Sequence, residues 1–471
     1  MTRESWATRV GFILAAVGSA VGLGNIWRFP WMTAEQGGSA FLLLYLLIVV
    51  GVGVPGLLGE FVIGRRAKRN PVGALESLSG SKTWGRVGLI TVVTAIFLLS
   101  FYSVVGGWIV RYFLGSVTGA YFAQPGAYFD SISFGWQAAG FHVVFLLVTA
   151  LIVLAGVRRG IEVATKVMMP AIVVLLVGLA AWAVTRPGAG AGLEFYLAFD
   201  AAYLRANFFD VLIAAAGQAL FTLSVGAGTM ITYASYLGED RSLPVDGVTI
   251  GFLNTFVGVL AGFVVFPLLF AQGIEPGAGG PGALFVSIAG AFSTLPAGRL
   301  IAAVFFGVVT LAALSSSISM LEIPVSYLVD EFGVSRRRAV AGLSVLFLVT
   351  GGVNALNPGV FDFVASTLVD LLLTGGLLAF LLFVGWVLGR DALDEFTTGA
   401  GPLASALGTP WLYAVGVVLP LFLLFTLLTG VFSAFGLSVD VALTVALTAA
   451  LGLGAFVGLR RPQSVIPARG R

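Results

Sequence analysis

What most constrains this chain is the recurrence of uncharged apolar runs, such as Gly88–Val110, Val248–Phe270 and Leu300–Leu321. About 20 helical residues suffice to cross the hydrocarbon of a bilayer. In lipid every backbone N–H and C=O needs a partner within the protein, so such runs fold as helices. Composition agrees, with 58% hydrophobic and only 10% charged residues, against about 25% charged in soluble domains. The pattern predicts an all-α polytopic membrane protein with about twelve spans. Their centres lie near residues 20, 52, 100, 147, 173, 220, 260, 312, 346, 375, 420 and 448.

Short loops separate most spans, so one membrane domain over 1–471 is expected, without a soluble module. No A-x-A-like site closes a short apolar run near the start, so a cleaved leader is not expected. Basic residues cluster at Arg65–Arg69, Arg158–Arg159 with Lys166, Arg336–Arg338 and Arg460–Arg461, in alternation with loops poorer in them. By the positive-inside rule that side is cytoplasmic and both termini lie there. The longer loops Gln124–Trp136, Arg186–Asn207 and Glu275–Gly298 then face outward. A net charge of +3 from loop residues is no nucleic-acid signature. With no cysteine and one histidine, His142, the chain lacks disulfides and the groups an intramembrane enzyme would need, so no enzyme is expected. His142, near the start of span four, is expected at the interface.

Two segments depart from this pattern in the same way. GSAVGLGN (Gly18–Asn25) interrupts span one, and FTLSVGAGT (Phe221–Thr229) interrupts span six. Gly18-x-x-x-Gly22 alone also fits close helix packing. Matching interruptions five spans apart point instead to a transporter of two five-helix inverted repeats. Unwinding frees carbonyls for a hard cation and half-helix amides for an anionic group.

The stretch from Trp6 to Trp31 resembles the first helix of the neurotransmitter:sodium symporter family, whose prokaryotic members include the bacterial leucine transporter. The resemblance continues through Gly37–Leu46, Gly217–Tyr236, Asn254, Leu314–Glu322, Asp330-Glu331 and Phe361–Phe363. It implies twelve helices with helices one and six broken. Repeat one would run over about 8–185, repeat two over about 206–390, and two accessory helices over about 409–460. It also implies sodium-coupled symport of an amino acid by alternating access, in a prokaryotic plasma membrane, by a monomer or homodimer.

Carried over residue by residue, the resemblance implies two sodium sites. The first comprises Ala20, Asn25, Thr222 and Asn254; the second Gly18, Val21, Ala312, Ser315 and Ser316. All are neutral oxygen donors, which suits Na⁺, although hydroxyls in Ser315-Ser316-Ser317 can also bond back to their own helix. The substrate carboxylate would meet the amides of Leu23 and Gly24 and the hydroxyl of Tyr102. Its ammonium would face oxygens of Ala20, Phe221, Thr222 and Ser224. Monoamine-carrying relatives have an aspartate where this chain has Gly22, so the resemblance implies a neutral amino acid bearing its own carboxylate. Leu98, Tyr102, Phe221, Ser224, Ala227, Ser316 and Met320 would line the side-chain subsite. Ala227 stands where the leucine transporter has a bulky aromatic, which favours large apolar or aromatic substrates unless another side chain refills the space.

Gates follow from the same resemblance: Arg28 with Asp362 on the outside, Gln218 beside Arg28 and Phe221 as lid, then Arg3, Trp6, Tyr236 and Asp330 on the inside. Gly258 stands where relatives carry an acid or a serine, so the sequence decides neither for nor against chloride. Asp370, inside span ten, is a functional candidate by its position and the one hint of a proton-coupled or exchange carrier. Glu60 and Glu322 read as structural hydrogen-bonding groups. A non-transporting amino-acid sensor is the remaining alternative, and no signalling module supports it.

Overall fold

A computed structural model describes residues 6–238, 241–271, 273, 280–437 and 440–459. Among the described residues, nine helices are long and apolar enough to cross a membrane, one bent pair makes a further span, and two shorter apolar helices complete the set. We number them in chain order: α1 (Arg9–Ala20 and Gly24–Glu35), α2 (Ser39–Ala67), α3 (Lys82–Thr118), α4 (Trp136–Leu154) and α5 (Val157–Ala183). After α6 (Phe208–Thr222 and Thr229–Ala234) come α7 (Leu243–Ala271), α8 (Gly298–Phe332), α9 (Arg336–Leu356), α10 (Pro358–Leu388), α11 (Pro402–Ala434) and α12 (Val441–Leu459). The expected long loops contain helices of their own at Pro125–Ser133, Ala189–Leu197 and Gly280–Ser293.

α1 and α6 lie at the centre. Residues Val17 to Phe29 of α1 are buried throughout, with α5, α6, α7 and α8 packed around them. The outer helices turn apolar side chains outward, as with Leu47 and Val50 on α2, Val163 and Val167 on α5, and Val345 and Val349 on α9. Greasy outside and polar at the axis is the arrangement hydrocarbon demands. Lipid supplies no hydrophobic drive between helices, so hydrogen bonds and close packing hold the centre together. Ser317 on α8 meets Thr149 on α4 at 2.8 Å, and Ser19 on α1 donates to Ser319 on α8 at 2.8 Å.

His142 corrects its expectation. It is buried rather than interfacial, its Nδ1 lying 2.8 Å from Ser103 Oγ on α3, with its ring against Gly351 of α9.

Candidate functional site

The α1 break is short. Helical hydrogen bonding stops at Ala20, Val21 is extended (φ −77°, ψ 96°), and the chain resumes at Gly24 with a 46° bend. The Gly22 amide donates to Asn25 Oδ1 at 3.2 Å, and the Leu23 amide to the Tyr102 hydroxyl at 3.1 Å. Freed backbone groups thus find partners from the next turn and from α3.

The α6 break is longer, running from Leu223 to Gly228. Ser224 (φ 53°), Gly226 (φ 90°) and Gly228 (φ 76°) adopt left-handed backbone, which glycine takes without penalty. Ser224 is held there by a 3.0 Å bond from its hydroxyl to the Ser19 carbonyl. Glu60 of α2 closes the far side, fully buried, accepting from the amides of Gly226, Met230 and Ile231 at 2.6, 3.2 and 3.3 Å. A carboxylate at a half-helix N-terminus satisfies donors that the break leaves open. Glu60 is therefore the hydrogen-bonding strut the sequence suggested.

Between the two breaks lies a small cavity lined by Ser19, Ala20, Gly22, Gly24, Leu98, Tyr102, Phe221, Ser224, Ala227, Ser316, Met320 and Leu373. Ten of these were expected from the sequence. Leu23 and Thr222 stand just behind the wall, through the Tyr102 contact and an oxygen cluster respectively. Ser19 and Leu373 were missed. Ser19 sat in the quoted motif, but its carbonyl, not its hydroxyl, faces the site and receives both Ser224 and Ser316 (2.9 Å).

Gly22 is crowded. A Cβ there would sit 2.0 Å from Ser316 Oγ and 2.8 Å from the Tyr102 hydroxyl, so no larger residue fits without displacing both.

The expected first cation site forms a cluster of oxygens. With its amide oxygen inward, Asn254 lies 3.1 Å from the carbonyls of both Ala20 and Thr222, and 3.4 Å from the Thr222 hydroxyl. The inverted amide would donate to both carbonyls. Asn25 Nδ2 holds Asn254 from behind, at 2.8 and 2.9 Å. Carbonyl, amide and hydroxyl oxygens converging without fixed charge are the donor set of a hard monovalent or divalent cation.

The second cluster is partly assembled. Ser315 Oγ lies 3.1 Å from the Val21 carbonyl and 2.8 Å from that of Ala312, so it both bonds back along its helix and reaches α1. Ser316 departs from the expectation. Its hydroxyl goes to Ser19 and the cavity, because neighbouring side chains on a helix point about 100° apart.

The roof also corrects an expectation. Arg28 pairs not with Asp362 but with Asp370, through Nη1–Oδ1 at 3.2 Å and Nη2–Oδ2 at 2.7 Å. Asp362 is exposed, in the second turn of α10. Asp370 lies about two helical turns further along α10 than Asp362, beyond a π-helical stretch at Val364–Leu368, and it is the one within reach of Arg28. The guanidinium lies 4.6 Å over the Phe221 ring, so Phe221 and the pair cover the cavity together. Gln218 donates to the Gly24 carbonyl at 2.6 Å, tying α6 to α1 beside this roof.

On the opposite side Trp6 donates from Nε1 to the Tyr233 carbonyl at 3.0 Å and stacks edge-on against Tyr233 and Tyr236. Tyr236 donates to Glu322 at 2.9 Å, and Arg336 of α9 binds the same buried carboxylate. Glu322 is thus a hydrogen-bonding group, as read. Asp330 accepts from the Asn70 amide at 3.0 Å; Arg3 lies outside the described residues.

Known proteins match this arrangement over almost the whole chain. Residues 3–124 and 131–439 fit the sodium:neurotransmitter symporter family. An uncharacterized sodium-dependent transporter of Methanocaldococcus jannaschii is 36% identical over 445 residues, covering 90% of this chain and 89% of the relative. Another, YhdH of Bacillus subtilis, is 34% identical over 432 residues, covering 88% and 95%. The crystal structure of MhsT in complex with L-phenylalanine superposes with a TM-score of 0.82 at 37% identity, over 91% of this chain and all of that one. The chain is a multi-pass membrane protein of the sodium:neurotransmitter symporter family.

Proposed function

We propose that this chain carries a neutral amino acid with a large apolar or aromatic side chain, in symport with sodium, by alternating access. Gly22 carries the reading. With Ser316 and Tyr102 filling the space a side chain would need, the cavity has no fixed negative charge at that point, so its ligand brings a carboxylate of its own. A zwitterion suits a neutral site between two broken helices. The Leu23 amide and the Tyr102 hydroxyl would bind the carboxylate, and oxygens near Ala20, Phe221 and Ser224 the ammonium. The L-phenylalanine bound by MhsT supports the side-chain class.

Two sodium ions fit the chemistry of the clusters. Ala20, Asn25, Thr222 and Asn254 would hold one, and Gly18, Val21, Ala312 and Ser315 the other. Bound there, sodium supplies positive charge beside the substrate carboxylate and ties α1 to α6, α7 and α8. Transport would proceed by rocking one repeat against the other. Arg28, Asp370 and Phe221 would open on the outer side, and Trp6, Tyr233 and Tyr236 on the inner. Both termini would lie in the cytoplasm, beneath a prokaryotic plasma membrane.

The test is uptake of labelled amino acids into proteoliposomes, with a competition panel of the neutral amino acids and Na⁺ replaced by K⁺ or choline. Uptake of phenylalanine or leucine that collapses without Na⁺ is expected. Uptake driven by a pH gradient and indifferent to Na⁺ overturns the reading.

A further inference from the structure

Leu373 lies on α10, a helix the sequence connected with the gate and not with the cavity. Yet it lines the cavity together with Ala227, Ser224 and Phe221. It is 2% exposed, so it is buried within the protein at this wall.

Its position is imposed by backbone. A Cβ on Gly226 would fall 2.0 Å from the Leu373 carbonyl oxygen, and one on Gly376 would fall 2.1 Å from the Gly226 carbonyl oxygen. The two glycines let α10 lie main chain to main chain against the α6 break. One turn earlier, Asp370 is held by Arg28, and Thr374 Oγ1 bonds the Asp370 carbonyl at 2.8 Å. Asp370 and Leu373, three apart, share one helical face. The same stretch of α10 therefore carries part of the roof and part of the wall.

We propose that Leu373 is a specificity-determining residue, which together with Ala227 sets the size of substrate side chain the cavity accepts. The inference rests on the amino-acid reading above. Ala227 contributes only a methyl group to the wall. The branched side chain of Leu373, brought in from α10, occupies part of the room so left. Changes of one or two methylenes in an apolar pocket alter discrimination about 10- to 200-fold.

The experiment is a sodium-dependent binding competition on the purified full-length chain, ranking alanine, leucine, phenylalanine and tryptophan. Leu373→Ala should shift the ratio of tryptophan to leucine affinity about tenfold toward tryptophan, and Leu373→Phe should shift it the other way by a similar factor. Leu373→Val, a milder truncation, should move the ratio in the alanine variant's direction even if that variant fails to fold. Leu371→Ala is the control. Its side chain is on the same helix but packs toward Gly430 of α11, and the order of substrates should not change. Adding Ala227→Leu to Leu373→Ala should return the ratio toward wild type, which loss of stability alone would not do. A wild-type order retained in the valine and phenylalanine variants overturns the proposal. A wild-type chain that binds none of the four amino acids overturns the amino-acid reading, and this proposal with it.

Discussion

The two breaks solve one problem by different means. In α1 three residues, Val21 to Leu23, leave the helix, and neutral groups close the gap: the Asn25 amide, the Tyr102 hydroxyl and the Ser315 hydroxyl. In α6 six residues leave it, three of them with left-handed backbone, and a buried carboxylate, Glu60, gathers the loose amides. The α1 break lines the cavity with Ser19, Ala20, Gly22 and Gly24, while the α6 break spends its amides on an internal anchor. Charge within the bilayer stands behind the site, where it holds shape, and not in the cavity, where it would repel a carboxylate.

Removing the anchor should have the largest effect. Glu60→Ala leaves three buried amides without an acceptor, each costing about 1–3 kcal/mol. We expect loss of a monodisperse peak or a steep fall in the thermal midpoint in detergent, with Glu60→Gln losing less because it keeps one acceptor oxygen. A Glu60→Ala protein as stable as wild type would break the contrast between the breaks.

Placing charge in the α1 break comes next. Gly22→Asp should lower amino-acid binding on the order of a hundredfold or more, by steric overlap with Ser316 and by repulsion of the carboxylate. Scintillation binding with labelled phenylalanine reads this directly, and retained affinity would refute the neutral-site argument.

A smaller effect follows at the oxygen cluster. Thr222→Val keeps the shape and removes one hydroxyl, which should raise the Na⁺ concentration for half-maximal binding about tenfold. An unchanged sodium titration would separate Thr222 from the cation.

The smallest concerns the roof. The Arg28–Asp370 pair is partly exposed, with side-chain exposures of 11% and 29%, and such pairs contribute about 1 kcal/mol or less. Asp370→Asn should therefore raise the apparent KM for uptake about two- to fivefold, while Asp362→Asn should leave it unchanged. The reverse order would restore the pairing expected from sequence.

Much of this was legible before any coordinates. Hydropathy marks the long spans because lipid tolerates little else, and glycine, serine and asparagine mark both breaks because those residues suit unwound backbone. Asp370 and Leu373 show where such reading stops. Asp362 and Asp370 lie eight positions apart, about two helical turns, and residue type alone does not tell which of them Arg28 reaches. Leu373 reaches the cavity only because Gly226 and Gly376, 150 positions apart, meet across two helices. Ser19 stood within the α1 motif without an assigned role, since its backbone oxygen, and not its side chain, takes the two hydroxyls.

The meeting of Gly226 and Gly376 also has a mechanical consequence. Side chains between helices act as shims, able to change rotamer while the helices slide. Here there are none, so the α6 break and α10 engage like meshed teeth. In the proposed transport cycle a tilt of α10 would be transmitted to the Ser224–Ala227 segment without slack, and lifting the roof and reshaping the wall would be one movement.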